Sequence, residues 1–327
     1  MTVTLIERFR DRLPVTRATP VVSLGEGSTP LLAAPRLARA AGVRELWLKW
    51  EASNPTGSYK DRGMTVAVSK ALEAGAEAVL CASTGNTAGS AAAYAARAGL
   101  PAVVLVPQGA VAGAKLAQTR MLGATVLEVR GDFDQALAAA QELAARGTHV
   151  LVNSLNPNRR EGQKTAVLEI VEELDGAPPD AFVLPYGGGG NTSSYAQALR
   201  ELGLATPIVS VEAQRRRETL ATAIRIGDPV HAEAVAASGA RVVSATDDEL
   251  VVTWRALATE EGLFCEPSSA AGLAAVLRGA VEGERLVVTI TGHGLKDPAI
   301  ADRLAPPPHE VDPDPDAIAA ASRPGAG

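Results

Sequence analysis

The sequence predicts an α/β protein built on mainly parallel, doubly wound sheets. Short strand-like apolar runs alternate with stretches of helical spacing along most of the chain. The helical stretches are rich in alanine and aromatics are only 3% of residues, which suits close packing of helices on a sheet. Loops rich in glycine and hydroxyls follow the strand-like runs, where open α/β sheets bind ligands. At 327 residues the chain can bury a large core, and two domains are expected.

Taken in order, residues 46–50 alternate as a strand and 64–74 have helical spacing. Residues 78–82 read as a short buried strand, followed by a loop at Ser83 and an alanine-rich helix over 88–98. A strand over 101–106, a helix over 115–122 and a strand over 125–129 come next. Residues 133–145 place Phe133, Leu137, Ala140 and Leu143 on one helical face, and 150–153 close this series. Later come an apolar run at 181–184, a helix-like stretch at 193–202, and strands at 209–212 and 286–290. The stretch from Pro306 onward is rich in Pro, Asp, Ala and Gly and is expected to be a loosely held tail.

Three segments carry chemistry. In Asn54-Pro55-Thr56-Gly57-Ser58-Tyr59-Lys60-Asp61-Arg62-Gly63, a turn delivers one lysine to a helix start. Solvated, Lys60 is an ordinary first-turn charge. Desolvated, it offers a neutral amine as a nucleophile toward carbonyls. Pro185-Tyr186-Gly187-Gly188-Gly189-Gly190-Asn191-Thr192 joins an apolar run to a helix start. That is either a flexible turn or an anion site made of close backbone N–H groups and a helix N-terminus. No Walker lysine follows it, so a nucleotide loop is not indicated. Thr289-Ile290-Thr291-Gly292-His293-Gly294-Leu295-Lys296-Asp297-Pro298 ends a strand-like run with short polar groups, as a site wall or as a tight turn.

Composition narrows the partners. The net charge of -6 argues against nucleic acid and anionic membranes, so any anionic ligand needs local donors. Two cysteines, Cys81 and Cys265, are too few for a disulfide framework or a zinc cluster, and no metal site is expected. They fit a reducing, cytoplasmic location, and Cys81 at the end of an apolar run suits core packing. No apolar stretch reaches the ~18 residues of a membrane span, and the first residues lack a signal-peptide apolar region.

Together these segments resemble the fold-type II pyridoxal phosphate enzymes of the tryptophan synthase β-like family, and within them the threonine synthases. The resemblance runs from about Gly25 to Pro298. Ser83-Thr84-Gly85-Asn86-Thr87-Ala88, the stretch Asn153-Ser154 to Lys164, the stretch Thr219 to Gly227, and Glu266-Pro267-Ser268-Ser269-Ala270-Ala271 carry it further. The ending Thr291 to Pro298 is its most specific item. The resemblance implies a large cofactor-binding domain of residues 1–54 and 152–305, a small mobile domain of 55–151, and a flexible tail of 306–327.

It also implies roles. Lys60 would be the Schiff-base lysine and the general base at Cα. Gly187, Gly188, Gly189, Gly190 and Asn191 would hold the cofactor phosphate, Asn86 would meet the ring 3′-oxygen, and Thr291 the ring nitrogen. Ser83, Thr84 and Thr87 would hold the substrate carboxylate. Asn153, Ser154 and Arg159 would hold a substrate phosphate, the arginine through its fork of N–H donors. Without that context Arg159 reads as a solvated surface-loop arginine.

The implied reaction converts O-phospho-L-homoserine and water to L-threonine and phosphate. The implied partner is a small phosphorylated amino acid, with a homodimer left open. Another β- or γ-elimination or replacement enzyme on this fold, including a serine or threonine dehydratase, is the alternative. Three departures from the family stand out. The loop Gly187-Gly188-Gly189-Gly190-Asn191 lacks the Asn and Ala that threonine synthases more often carry among the glycines, and leans toward the dehydratases. Tyr59 replaces the usual Phe, so its hydroxyl needs a partner. The stretch from Val211 to Glu218 is short beside the site.

Overall fold

The computed structural model describes residues 3–109 and 113–322. Residues up to Asp297 form one compact unit and Pro298–Gly327 a second. The strands of the first unit, in chain order, are β1 (Leu31–Ala33), β2 (Glu45–Trp50), β3 (Ala78–Ala82), β4 (Ala102–Pro107), β5 (Thr125–Val129), β6 (His149–Leu151), β7 (Ala181–Pro185), β8 (Ile208–Ala213), β9 (Arg241–Ala245) and β10 (Arg285–Ile290). They form two sheets. One has six strands in the order β1-β2-β10-β7-β8-β9, the other four in the order β5-β4-β3-β6. Every pairing is parallel except β1 with β2. The expected α/β class with mainly parallel, doubly wound sheets is the one observed.

The central strands β3, β7 and β10 are buried on both faces, which is why they read as apolar runs. In β3, Val79 and Cys81 face Met64, Val68 and Tyr94 of the helices Lys60–Glu73 and Asn86–Ala98. Leu80 and Ala82 face Ala136 and Ala140 of the helix Phe133–Ala145 on the opposite side. Cys81 is thus a core residue, and burial pushes its thiol up to about 12. In the larger sheet Phe182, Leu184 and Val287 pack against Val167 and Ile170 of Pro157–Glu173 and Tyr195 of Gly190–Leu202.

Of the elements that the sequence did not reveal, three are instructive. The edge strand β9 begins with exposed Arg241 and Val242, so it lacks an apolar run. The helix Asp247–Glu261 is capped by Thr246, whose hydroxyl accepts from Glu249 N. The helix Pro157–Glu173 has Pro157 in its first turn and Asn156 as cap, yet buries Arg159, Gln163, Lys164, Thr165 and Glu169. A helix with that many buried polar groups shows no amphipathic period. In the second unit a helix covers Pro298–Leu304, residues 305–316 are exposed, and a short helix Pro315–Ala321 is capped by the Asp314 carboxylate. The last five residues of the expected tail, 323–327, lie outside the described residues.

The helices Lys60–Glu73 and Pro157–Glu173 cross at two glycines. A Cβ on Gly162 would clash with the Arg62 carbonyl and lie 2.8 Å from Gly63 Cα. A Cβ on Gly63 would lie 2.5 Å from the Arg159 carbonyl oxygen. Backbone cannot yield as a side chain does, so Gly162→Ala must push the helices apart. Overpacking of this kind costs about 1–3 kcal/mol or more. Chemical denaturation should show a clear drop in the midpoint, and activity should fall too, because Lys60 opens one of the helices. An unchanged midpoint would show slack at this crossing.

Candidate active site

The lysine turn is zipped onto the end of β10. Ser58 forms an antiparallel bridge with Gly292, Tyr59 N donates to Thr291 O at 3.0 Å, and His293 N donates to Gly57 O at 2.9 Å. Gly57 has φ +83°, which the turn requires. Lys60 is the first residue of its helix and half-buried. Its Nζ donates to the Tyr59 hydroxyl and lies 4.2 Å from the centre of that ring. The partner that the Tyr59 hydroxyl needs is therefore the lysine itself.

The residues after Lys60 anchor the helix start. Asp61 is fully buried and accepts from Thr56 N (2.7 Å), Thr56 Oγ1 (2.6 Å) and Ser90 Oγ (2.6 Å). Burial pushes its carboxyl up to about 6, against those hydrogen bonds and the charge of Lys296. Arg62, also fully buried, donates to Glu51 (Nε at 2.7 Å) and to Glu169 (Nη1 at 2.8 Å and Nη2 at 2.6 Å). Burial alone would raise Glu169, but the charges of Arg62 and Lys49 hold its carboxyl at about 2. These buried ion pairs tie Arg62, in the first turn of the Lys60 helix, to Glu51 and to the helix Pro157–Glu173.

Asn86 opens the helix Asn86–Ala98, and its Nδ2 donates to Glu266 Oε2 at 2.7 Å. A Cβ on Gly292 would sit 3.3 Å from that same Nδ2, so Asn86 faces the end of β10. Lys115 holds the other Glu266 oxygen at 2.6 Å and donates to Thr222 Oγ1 at 2.9 Å. Thr291 lies 3.0 Å from Ser269 Oγ, which also accepts from Gly292 N at 2.9 Å. Lys296 donates to Thr56 O at 3.0 Å and to Gln118, and burial pulls its ammonium down to about 8. Lys115 and Gln118 reach this place from the helix Ala114–Met121.

The glycine loop leaves β7 and turns into Gly190–Leu202, with Gly189 at φ +82° as the cap. No acidic residue stands in that helix's first turn, so its positive end is open to an anion. A Cβ on Gly187 would lie 3.2 Å from both Ala223 O and Ile226 Cδ1, so the stretch Thr219 to Gly227 backs the loop. Gly188 is different, because a Cβ there meets nothing nearer than 3.8 Å. The Cβ of Gly188→Asp therefore meets no clash, and the substitution brings a charge to the proposed cofactor phosphate site. Cofactor affinity should fall at least about tenfold, the ~1.4 kcal/mol of one close like-charge contact, with circular dichroism unchanged. Equal affinity would mean that the loop is a turn and nothing more.

The loop expected to hold a substrate carboxylate follows β3. Ser83 N donates to Leu105 O at 3.1 Å and Ser83 Oγ accepts from Gly85 N at 3.1 Å. Thr84 is exposed, Thr87 half-buried, and the helix that they introduce has no acid in its first turn. Asn153 pairs reciprocally with the Ala82 backbone, at 2.9 Å to its N–H and 2.8 Å to its carbonyl. Its amide thus extends the β3–β6 ladder. Ser154 is brought to the glycine loop, its Cβ 3.7 Å from a Cβ built on Gly190. Arg159 is no surface-loop arginine, because it lies in a helix and is 0% exposed. Its Nη1 donates to Val152 O at 2.7 Å, and burial lowers its affinity for the proton.

A buried polar atom without a partner is rare. Asn86 Oδ1, Asn191 Nδ2 and Arg159 Nε and Nη2 are all buried without one, and all belong to predicted site residues. Together with a half-buried lysine and a glycine loop that has no side-chain cap, these donors and the Asn86 acceptor fit an anionic, polar cofactor. Ser269, Glu266 and Lys115 complete it from afar. Among the described residues no cluster of His, Cys, Asp or Glu could hold a metal, and no helix is long and apolar enough to cross a membrane.

The family model described as pyridoxal-phosphate dependent enzyme matches residues 22–292, and the chain belongs to that family. Its architecture is fold-type II. The serine racemase of maize superposes with a TM-score of 0.78 at 20% identity, over 93% of this chain and 97% of that one. The fungal L-serine ammonia-lyase of Rhizomucor miehei does so with a TM-score of 0.74 at 24% identity, over 85% and 97%. Curated relatives are nearer in sequence. The threonine synthase of Mycobacterium leprae (strain TN) is 47% identical, over 94% of this chain and 93% of its own. That of Halalkalibacterium halodurans is 42% identical, over 91% and 90%.

Proposed function

We infer that this pyridoxal phosphate-dependent lyase is the enzyme that converts O-phospho-L-homoserine and water to L-threonine and phosphate. The observation that supports this most directly is the meeting of two phosphate-suited segments, the glycine loop and the Asn153–Ser154 stretch, at Gly190 and Ser154. One suits the cofactor phosphate and the other a phosphate on the substrate.

When bound, pyridoxal phosphate supplies an electron sink that no side chain offers. Lys60 would hold it, with the glycine loop and Asn191 on its phosphate, Asn86 on its 3′-oxygen and Thr291 on its ring nitrogen. The hydroxyl of Thr291 is neutral and does not force a proton onto that nitrogen. Ser83, Thr84 and Thr87 orient the substrate carboxylate at an open helix N-terminus. Asn153, Ser154 and Arg159 orient the phosphate that leaves Cγ. The Lys60 amine moves the protons at Cα and Cβ, and water adds at Cβ. The Tyr59 hydroxyl steadies that amine. Segment 55–151 acts as the small moving domain, with Lys115 and Gln118 tying it to Glu266 and Lys296 when the site is closed. The enzyme works in the cytoplasm.

A substrate panel tests the assignment. O-phosphohomoserine should release phosphate without a keto acid, and should turn over far faster than serine, threonine, O-phosphoserine or O-acetylserine. Keto acid from serine or threonine as the main product would make this a dehydratase instead.

A further inference from the structure

His231 belongs to none of the groups above, yet it stands at the junction of both phosphate-suited segments. Its backbone N–H donates to Gly188 O at 3.1 Å. Its side chain covers the loop: a Cβ on Gly189 would lie 3.2 Å from His231 Cβ, and one on Gly190 3.5 Å from Cδ2 and 3.6 Å from Nε2. On the other side, Nε2 lies 3.1 Å from Ser154 O. A carbonyl only accepts, so Nε2 carries the hydrogen and Nδ1 is left as the basic atom. The residue is 8% exposed. Although it precedes the helix Ala232–Ala237, its ring makes no capping bond there.

The groups around it are one-sided. Arg160 of Pro157–Glu173 acts on the ring as a positive charge, and so does Lys60, at the head of Lys60–Glu73, until it takes up the cofactor. Gly190–Leu202 offers no acid in its first turn. On its own element Glu233 is exposed, and Asp228 in the preceding turn is paired with Arg217 at 2.6 Å. Burial first, then Arg160 and Lys60, lower the imidazole below its ordinary value, while the Ser154 carbonyl pulls it up. An imidazole kept neutral among positive charges gains a proton most readily when an anion arrives beside it.

We propose that His231 is a positioning residue for phosphate-bearing ligands, tying the glycine loop to the Ser154 segment and taking a proton from solvent onto Nδ1 when a dianion settles at their junction. The proposal rests on the functional reading above. Its sign follows from linkage. If the loaded site binds one more proton than the free site, dianion affinity rises as pH falls, by up to about tenfold per pH unit between the free and loaded pKa values of the ring.

Sulfate is the probe, since it stays a dianion across the range where histidine titrates. Its binding to the holoenzyme is read at equilibrium, from the visible absorbance of the cofactor and by calorimetry in competition with inorganic phosphate. In the wild type, sulfate should bind several-fold more tightly at about pH 6 than at about pH 8. His231→Gln keeps an amide donor for the Ser154 carbonyl but cannot titrate, and should lose most of that slope. His231→Ala should also bind more weakly at every pH. Equal slopes in wild type and His231→Gln overturn the proposal, and so does a flat wild-type profile, which needs no variant at all. His231→Asn replaces the glutamine if that variant fails to fold. Failure of the reaction assignment is seen separately, as absence of phosphate release from O-phosphohomoserine, and leaves the sulfate titration intact.

Discussion

Lys60→Ala should abolish turnover while leaving the fold and much of the cofactor affinity in place. The lysine is half-buried at the first position of its helix, and its Nζ reaches the neighbouring Tyr59 hydroxyl rather than a core group. The glycine loop, Asn191, Asn86 and Thr291 remain to hold the cofactor without a covalent link. What disappears is the amine that moves protons at Cα, so kcat should fall by roughly 10³-fold or more. Borohydride treatment of the wild type should fix pyridoxal phosphate to one peptide, the one that contains Lys60. Labelling of Lys115 or Lys296 instead would move the site by one helix and remove the basis of the assignment. Tyr59→Phe is the companion measurement. It removes the hydroxyl that meets Nζ, so the pH profile should shift while the labelled peptide stays the same.

The lysine and the glycine loop were legible in the sequence because their signals are local. A turn rich in Pro, Thr, Gly and Ser before a helix, and an apolar run ending in four glycines, survive in one dimension. The parallel sheets were legible for a related reason, since strands buried on both faces remain short apolar runs. Lys115 and His231 carry no such mark, and Glu266 and Ser269 stand in a stretch marked only by its resemblance, with no role readable from it. Asn86 meets Glu266 across 180 positions, and Ser154 meets His231 across 77. Only the folded topology brings them together. The helix Pro157–Glu173 was hidden for a different reason. Its inner face is polar, and Arg62, Glu51, Glu169 and Lys49 replace with buried ion pairs the apolar stripe that marks a helix. Arg159 was the residue most easily misjudged, since a double arginine after an Asn-Pro-Asn turn looks solvated until the helix crossing encloses it.

That enclosure sharpens the expected effect of Arg159→Ala. The guanidinium has no exposed surface, spends Nη1 on Val152 O at 2.7 Å, and leaves Nε and Nη2 without partners. A buried cation with unspent donors is costly to keep, and burial already weakens its hold on the proton. Removing it deletes that cost and leaves a cavity, so the two effects oppose and the melting temperature should move little. Catalysis should move much more. A charge-assisted pair contributes about 1.5–3 kcal/mol, and more when the dianion is desolvated. At ~1.4 kcal/mol per decade, kcat/KM for O-phosphohomoserine should fall roughly tenfold to a few hundredfold. The loss should be confined to phosphorylated ligands: inorganic phosphate should compete less well in the variant, while binding of serine or threonine, seen as a change in cofactor absorbance, should be nearly unaffected. Arg159→Lys restores a charge without the planar fork and should recover only part of the loss. If turnover of O-phosphohomoserine survives the alanine unchanged while the melting temperature drops, Arg159 is a prop for the crossing of two helices. The phosphate would then be held by Ser154 and the glycine-loop side of the junction alone.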